Sequence, residues 1–327
     1  MLKPKTLARY DQPVPRYTSY PTAPHFTEAV DATTHARWLA EIPGGDSLSL
    51  YVHIPFCDTM CWFCGCHTRI VNRYEPIAAY LDHVTAEVER VAGTLGKRHR
   101  ASHVHWGGGT PTSLAPADIL RLSDALRTHF DFDEESEFAV ESDPRGVGEE
   151  TIAALGQAGV TRVSLGVQDF SPRVQQAVNR IQPFDETKRV IDSLRSVGIA
   201  EINIDLMYGL PHQGTDELLA TAEKVLELEP TRLALFGYAH VPWMKVHQRM
   251  IDEDALPGTE ARWQQAGAAR AFLEEHGFTT IGLDHFARDD DPMAAALKAG
   301  VLHRNFQGYT TDRANTLIGF GASSISS

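Results

Sequence analysis

The sequence predicts an α/β fold, an open three-quarter (β/α)6 partial barrel, on three observations. Strand-like apolar runs alternate with helix-like segments along most of the 327 residues. The alternation gives six strand-then-helix units, which calls for parallel strands joined by right-handed crossovers. Six units are too few to close an eight-stranded barrel, so the sheet stays open.

The units follow in order. SLSLYVHIPF (47–56) is an apolar strand running into a cysteine-rich loop. Its helix carries Ile77, Leu81, Val84, Val88 and Val91 at steps of four and three, one face of a helix. SHVHWGGGTPT (102–112) is a strand entering a glycine turn, and the next helix bears Ile119, Leu122 and Leu126. SEFAVESDP (136–144) pairs with TIAALGQAG (151–159), a helix ended by glycine. TRVSLGVQDF (161–170) precedes a helical stretch through Val190, Leu194 and Val197. EINIDLMYGLP (201–211) precedes DELLATAEKVLELEP (216–230), closed by proline, and TRLALFGYAH (231–240) is the sixth strand. The expected organisation is an irregular N-terminal leader over the active site (1–45), the barrel (46–290) and a post-barrel extension (291–327).

The formal charge is −13, with no basic run interleaved with aromatics. That argues against a nucleic-acid partner, whose phosphates need a clustered positive face. It leaves room for an anionic small molecule held by a few local arginines. MLKPKTLARYDQP (1–13) has no apolar h-region, so no secretory signal is read there. No stretch approaches the ~20 apolar residues of a membrane span. The expected location is the cytoplasm.

All four cysteines fall in CDTMCWFCGC (57–66), spaced Cys57-x3-Cys61-x2-Cys64-x-Cys66. Disulfides are rare in the cytosol, and a disulfide framework spreads along a chain. Structural zinc draws two short pairs from separated places, and no second pair exists here, although His53 and His67 are close. Thiolate ligation of an iron–sulfur cluster is the third reading. Cysteines at this spacing can bind three irons of a [4Fe-4S] cube, which leaves the fourth iron open to a small ligand.

The pattern Cys-x3-Cys-x-aromatic-Cys directly after a strand resembles the signature of the radical S-adenosylmethionine superfamily. The resemblance implies a barrel of that superfamily's type. It implies a [4Fe-4S] cluster on Cys57, Cys61 and Cys64, and a 5′-deoxyadenosyl radical made from S-adenosylmethionine on the open iron. Further stretches are similar to one family within it, the oxygen-independent coproporphyrinogen III oxidases (dehydrogenases). They are RYTSYPTAPHF (16–26), YVHIPFC (51–57), CWFCGC (61–66), HWGGGTPT (105–112), GVQDF (166–170) and NIDLMYGLP (203–211). YAHVP (238–242), DHFAR (284–288) and HRNFQGY (303–309) complete the set, so the resemblance runs from about residue 10 to the end. Family members continue into a helical C-terminal domain. The chain, ending at GFGASSISS (319–327), is therefore expected to be a truncated form.

The family's reaction is oxidative decarboxylation of two propionates of coproporphyrinogen III to vinyls, giving protoporphyrinogen IX in heme synthesis. Two S-adenosylmethionine molecules are implied. The resemblance places Tyr51, Gly108 and Glu141 at the first, and Phe63, Gly109, Thr110, Gln168, Arg180, Asp205, Ala239 and Ile325 at the second, with Cys66 beside it. The residues themselves support part of this. A glycine turn lets backbone approach a ligand that a Cβ would block, though it also suits a plain tight turn. A carboxylate at a strand's carboxyl end can accept ribose or ammonium protons. Arg180 can pair a carboxylate bidentately. Asp205 sits in an apolar run, where an unpaired charge is costly. Trp62 and Phe63 can shield a cluster or simply pack, and His53 can serve the cluster or be a satisfied strand histidine. A tetracarboxylate substrate needs donors, for which Arg16, Tyr17, Tyr20, His303, Arg304 and Gln307 are candidates. A reducing electron-donor protein and a monomeric state are expected. The rival readings are a heme chaperone of a related branch, another radical reaction such as methyl transfer, and a zinc-stabilised binding module.

Overall fold

Leu48–Ile54 has little polar alternation, and as β1 every one of its residues is buried. This is what a strand covered on both faces requires. The computed structural model describes residues 4–11 and 21–327, so Arg16, Tyr17 and Tyr20 lie outside it. After β1 come β2 (Ala101–Gly108), β3 (Glu137–Ser142), β4 (Arg162–Gln168), β5 (Glu201–Tyr208) and β6 (Arg232–Gly237). These six run parallel and in sequence order, each paired with the next. The helices between them are α1 (Glu75–Leu95), α2 (Pro116–His129), α3 (Glu149–Ala158), α4 (Phe184–Ser196) and α5 (Thr215–Glu227), with α6 (Thr259–Glu275) following β6. The expected six-stranded open barrel is therefore present.

Three further strands widen the sheet. β7 (Phe278–Thr280) and β8 (His285–Arg288) form an antiparallel edge on β6, and β9 (Thr316–Phe320) pairs parallel with β1. The segment from 291 onward thus contributes a strand to the barrel's own sheet. It is also tied to the barrel floor. Asp291 caps the short helix Pro292–Lys298 through the Met293 N–H at 2.7 Å, and both its oxygens accept from Arg232 Nε at 3.0 Å.

The two faces of each strand differ in kind. On β5, Ile202, Ile204 and Leu206 point outward into the core shared with the helices, which also takes in Leu81 and Val88 of α1 and Ile191 and Leu194 of α4. Each such buried aliphatic contributes ~1.5–3 kcal/mol over an exposed one. The alternate positions, Asn203 and Asp205, face a polar interior. It is lined also by Ser49, His103, Glu137, Ser164 and Gln307. Near its floor Arg162 bonds Glu201 at 3.1 Å and Glu137 at 3.4 Å. Among the described residues no helix is long and apolar enough to cross a membrane.

Candidate active site

The cysteine loop leaves the carboxyl end of β1, where parallel sheets gather their sites. Short pairing of Phe56–Cys57 with Arg69–Ile70 closes its base. Its tip is pinned from one side by Trp62 N–H to the Val178 carbonyl (2.9 Å) and Asn179 Nδ2 to the Met60 carbonyl (2.9 Å). Residues 245–248 hold the other side. Lys245 Nζ reaches the Cys66 carbonyl at 2.9 Å, His247 Nε2 the Cys64 carbonyl at 2.7 Å, and Gln248 Nε2 the Phe63 carbonyl at 3.0 Å. Trp62 and Phe63 pack on a satellite core of Val174, Val178, Leu210, Tyr238 and Ile251.

Inside the loop a cavity opens at the barrel mouth. Cys57, Cys61, Cys64 and Cys66 line one side, and Gly108, Gly109 and Glu141 another. Phe63, Gln168, Arg180 and Asp205 complete the set of expected site residues in its wall. The thiols are differently held. Burial pushes the Cys57 thiol up to about 11, although Thr68 Oγ donates to its sulfur at 3.3 Å. Cys64 is pulled down to about 6, first by hydrogen bonding from Cys66 and then by the charges of His247 and Lys245. Cys61 Sγ accepts from Arg145 Nη2 at 3.2 Å and Arg180 Nη1 at 3.3 Å, and both arginines pair with Asp143. Donors aimed at sulfur suit an anionic iron–sulfur cluster.

The glycine turn is explained by the protein's own groups. Gly108 has φ +115°, and a Cβ there would lie 2.7 Å from the His53 ring. A Cβ on Gly109 would overlap the Phe56 carbonyl oxygen. The Gly108 N–H instead donates to Glu141 at 3.1 Å, and His105 Nε2 bonds the other oxygen at 3.1 Å. Burial raises the Glu141 carboxyl, but the His105 bond and charge and the Gly108 N–H outweigh it and hold the group below its ordinary value. Asp205 goes the other way. Burial, then the Glu141 charge, pushes it up to about 6, against hydrogen bonds from Asn203 and Ser164. Gln168 sits at φ +70°, left-handed backbone in a non-glycine residue, where the β4–β5 register shifts. Such strain costs on the order of 1–3 kcal/mol and collects at functional sites.

A model of the radical SAM superfamily matches residues 51–225. An oxygen-independent coproporphyrinogen III oxidase of Bradyrhizobium diazoefficiens is 54% identical over 315 residues, covering 96% of this chain and 70% of the relative. The chain belongs to the oxygen-independent coproporphyrinogen III oxidase family. The Escherichia coli oxidase of that name is 42% identical over 98% of the chain and 70% of the relative. The solved structure of an E. coli coproporphyrinogen III oxidase, described as a radical SAM enzyme, superposes with TM-score 0.91 at 40% identity, covering 98% of this chain and 72% of that one. The chain thus spans about 70% of the length of these family relatives. The family brings a [4Fe-4S] cluster and S-adenosylmethionine, and the thiol-lined cavity fits both.

The remaining expected site residues of this oxidase-family chain, among those described, lie outside the cavity wall. Tyr51 sits below it, its hydroxyl 2.9 Å from His53 Nδ1 and its ring edge-on to Phe306 at 4.9 Å. Thr110 accepts from the Asp143 N–H at 3.0 Å and lines an adjoining cavity with Cys57 and Arg145. The Ala239 carbonyl accepts from Gln248 at 3.3 Å. Ile325 lies against Gly319, which stands opposite Tyr51 in the β1–β9 ladder. His303 and Arg304 are exposed on a two-residue strand paired with Tyr309–Thr310, and Gln307 reaches the polar interior. His53 is a satisfied strand histidine, with its second nitrogen 3.0 Å from the His67 carbonyl. Sequence reasoning missed Thr68, Asp143 and Arg145. The last two stand just past Glu141 in ESDPR, where a strand's carboxyl end was the available signal.

Proposed function

We propose that the chain oxidatively decarboxylates two propionates of coproporphyrinogen III to vinyls, forming protoporphyrinogen IX. The observation that carries it is the meeting of three signature cysteines, Glu141 and Arg180 in one cavity at the barrel mouth. Cys57, Cys61 and Cys64 would hold the cluster and Glu141 the S-adenosylmethionine, and together these groups would supply one-electron radical chemistry toward a propionate's β-carbon.

The chain's own residues hold and orient. Cys57, Cys61 and Cys64 ligate the cluster, while Thr68, Arg145 and Arg180 donate to two of their sulfurs. Glu141, already oriented by His105 and the Gly108 N–H, accepts from the first cofactor's hydroxyl or ammonium protons. Tyr51 steadies the layer beneath through His53. A second S-adenosylmethionine fits the side of the cavity formed by Phe63, Gly109, Gln168, Arg180 and Asp205 with Cys66. Thr110, Ala239 and Ile325 belong to the surrounding shell. The Asp205 carboxyl, pushed up to about 6 by burial, is ionised above that pH and accepts there. Arg16, Tyr17 and Tyr20 of the leader, with His303, Arg304 and Gln307, supply donors for the substrate's carboxylates. The protein acts in the cytoplasm as a monomer that takes its electron from a donor protein.

The test is a mass spectrum of products from an anaerobic reaction of reconstituted protein, reductant, S-adenosylmethionine and coproporphyrinogen III. Loss of two carbon dioxides and four hydrogens is expected. Formation of 5′-deoxyadenosine with untouched porphyrinogen would mean another substrate. Neither product, together with stoichiometric heme binding, would favour the chaperone.

A further inference from the structure

The turn that follows β9 is tied down from one helix. Gly321 stands at φ +87°, left-handed backbone, and a Cβ there would overlap the Tyr80 hydroxyl and lie 2.8 Å from the His53 carbonyl oxygen. The Ala322 N–H donates to Tyr80 Oη at 2.9 Å, and the same hydroxyl donates to the His53 carbonyl at 2.7 Å. The Gly321 N–H donates to Glu87 Oε2 at 2.7 Å. Tyr80 and Glu87 both belong to α1, two turns apart on one face. The Tyr80 ring also meets Phe56 edge-on at 5.3 Å. Burial pushes the Tyr80 hydroxyl up to about 12, so it keeps the proton it donates.

One hydroxyl thus bridges two distant stretches of chain. His53 and Phe56 lead into the cysteine loop, where the Ile54 and Phe56 carbonyls accept from the Gly109 and Thr110 N–H groups at 2.8 and 2.7 Å. Ala322 belongs to the turn that carries Ile325. Beyond that turn the chain folds back along β9. Ser327 exchanges both backbone bonds with Leu317, at 2.8 and 2.9 Å, and Ser326 Oγ accepts from the Gly319 N–H at 3.0 Å. A Cβ on Gly319 would lie 3.0 Å from the Ile325 backbone. Gly319 pairs with Tyr51, an inward residue of β1 whose ring stacks on His105 of the polar interior. The returning segment therefore lies on the inner face of β9. Ala322, Ser323, Ser326 and Ser327 are exposed, so hydrogen bonds rather than burial hold this segment.

We propose that Tyr80, with Glu87, is a positioning residue that sets Ile325 at a fixed place relative to the cysteine loop and thereby shapes the second S-adenosylmethionine subsite. This rests on the two-cofactor reading above. Phe63 and Gly109 bring the loop side of that subsite and Ile325 brings the returning segment, and the Tyr80 hydroxyl is bonded to the backbone of both stretches. Neither Tyr80 nor Glu87 lines the cavity, so each acts on it through the groups it holds. A displacement of either stretch by about 1 Å is enough to spoil a binding geometry.

The experiment uses reconstituted holoprotein without reductant, so that S-adenosylmethionine is bound and not cleaved, and counts the radiolabelled cofactor by equilibrium dialysis. The wild type should take up two equivalents. Tyr80→Phe keeps the ring against Phe56 and loses both hydroxyl bonds. It should keep its cluster iron, bind the first equivalent unchanged and bind the second about tenfold more weakly. Glu87→Ala should weaken the second equivalent in the same direction. Glu87→Gln, which still offers the Gly321 N–H an acceptor, should restore it, and this pair decides the outcome if Tyr80→Phe does not fold. Tyr74→Phe is the control, since its hydroxyl bonds Asp118 and accepts from the Ala115 N–H at 2.8 Å, outside the cavity wall. It should leave both equivalents unchanged. Binding of both equivalents at wild-type strength by Tyr80→Phe and Glu87→Ala overturns the proposal. So does an equal weakening in Tyr74→Phe, which would make Tyr80 a structural tie alone, and so does loss of cluster iron from Tyr80→Phe, which would assign it to the loop. A wild type that binds one equivalent overturns the two-cofactor reading itself, and the proposal with it.

Discussion

Arg145 and Cys61 stand 84 residues apart in the chain, yet the guanidinium donates to the thiol sulfur at 3.2 Å. Asp143 holds the arginine in place through Nε at 3.0 Å and a second contact through Nη2. A donor on a ligand sulfur draws electron density from it and raises a cluster's potential. Arg145→Met should therefore lower the midpoint potential of the bound cluster, and Arg145→Lys should lower it less. Spectroelectrochemical titration of the reconstituted protein reads this directly. An unmoved potential would make Arg145 a purely structural partner of Asp143.

Asp205 predicts how stability depends on pH. Its folded value of about 6 lies above the ordinary 3.8. Below about pH 4 the group is protonated folded or unfolded and has no effect. As pH rises from 4 to 6 the unfolded chain releases the proton first, so this group lowers stability, and the full penalty persists above 6. Asp205→Asn should stabilise the apoprotein at pH 7.5 by about 2 kcal/mol and by almost nothing at pH 4. Urea unfolding at the two pH values measures the difference. Equal effects at both would mean the site is not proton-linked.

Gly109 should resist even the smallest side chain. Its Cβ would overlap backbone atoms of Phe56, which cannot swing aside. Gly109→Ala should cost about 1–3 kcal/mol and shift the cysteine loop at its base. Gly65, with nothing near its Cβ position, is the control. Thermal melts of the two alanine variants should separate them.

Arg232→Met should destabilise strongly. It leaves Asp291, 5% exposed, with the neutral Met293 N–H at 2.7 Å and, among the described residues, Arg162 as its one ion-pair partner at 4.0 Å. Stranding one partner of a buried pair costs about 3–5 kcal/mol. Arg232→Met combined with Asp291→Leu should recover much of that loss. A denaturation midpoint as low in the double variant as in the single one would count against the pairing.

Arg304→Ala tests the substrate side. Arg304 lies over the Tyr309 ring at 5.6 Å, on the hairpin whose Gln307 enters the polar interior. The expected result is a KM for coproporphyrinogen raised about tenfold, in line with loss of one charge-assisted hydrogen bond, with 5′-deoxyadenosine formation in the absence of substrate unchanged. An unaltered KM would remove Arg304 from the substrate site.

The six parallel strands and their order were legible because β1 to β6 are written as apolar runs between helix-period segments. The edges were not. β7, at three residues, and β8, at four, are too short for a period to register. β9 lies far along the chain from β1, and pairing at that distance leaves no local trace. At the site, the cysteines and glycines were readable because their types are restrictive. Arg145 and Asp143 were not, since charged residues after a strand look like ordinary surface until the fold turns them onto sulfur. The clasp by Lys245, His247 and Gln248 joins residues about 180 positions apart, through side chains that carry no pattern.

The inside and outside of β5 show where this protein can change. Ile202, Ile204 and Leu206 carry folding energy against the helices, while Asn203 and Asp205 face ligand space. Structural duty and chemical duty thus fall on alternate letters of one strand. A descendant could acquire a new substrate by rewriting the inward letters alone, with the apolar set that packs on the helices left as it is.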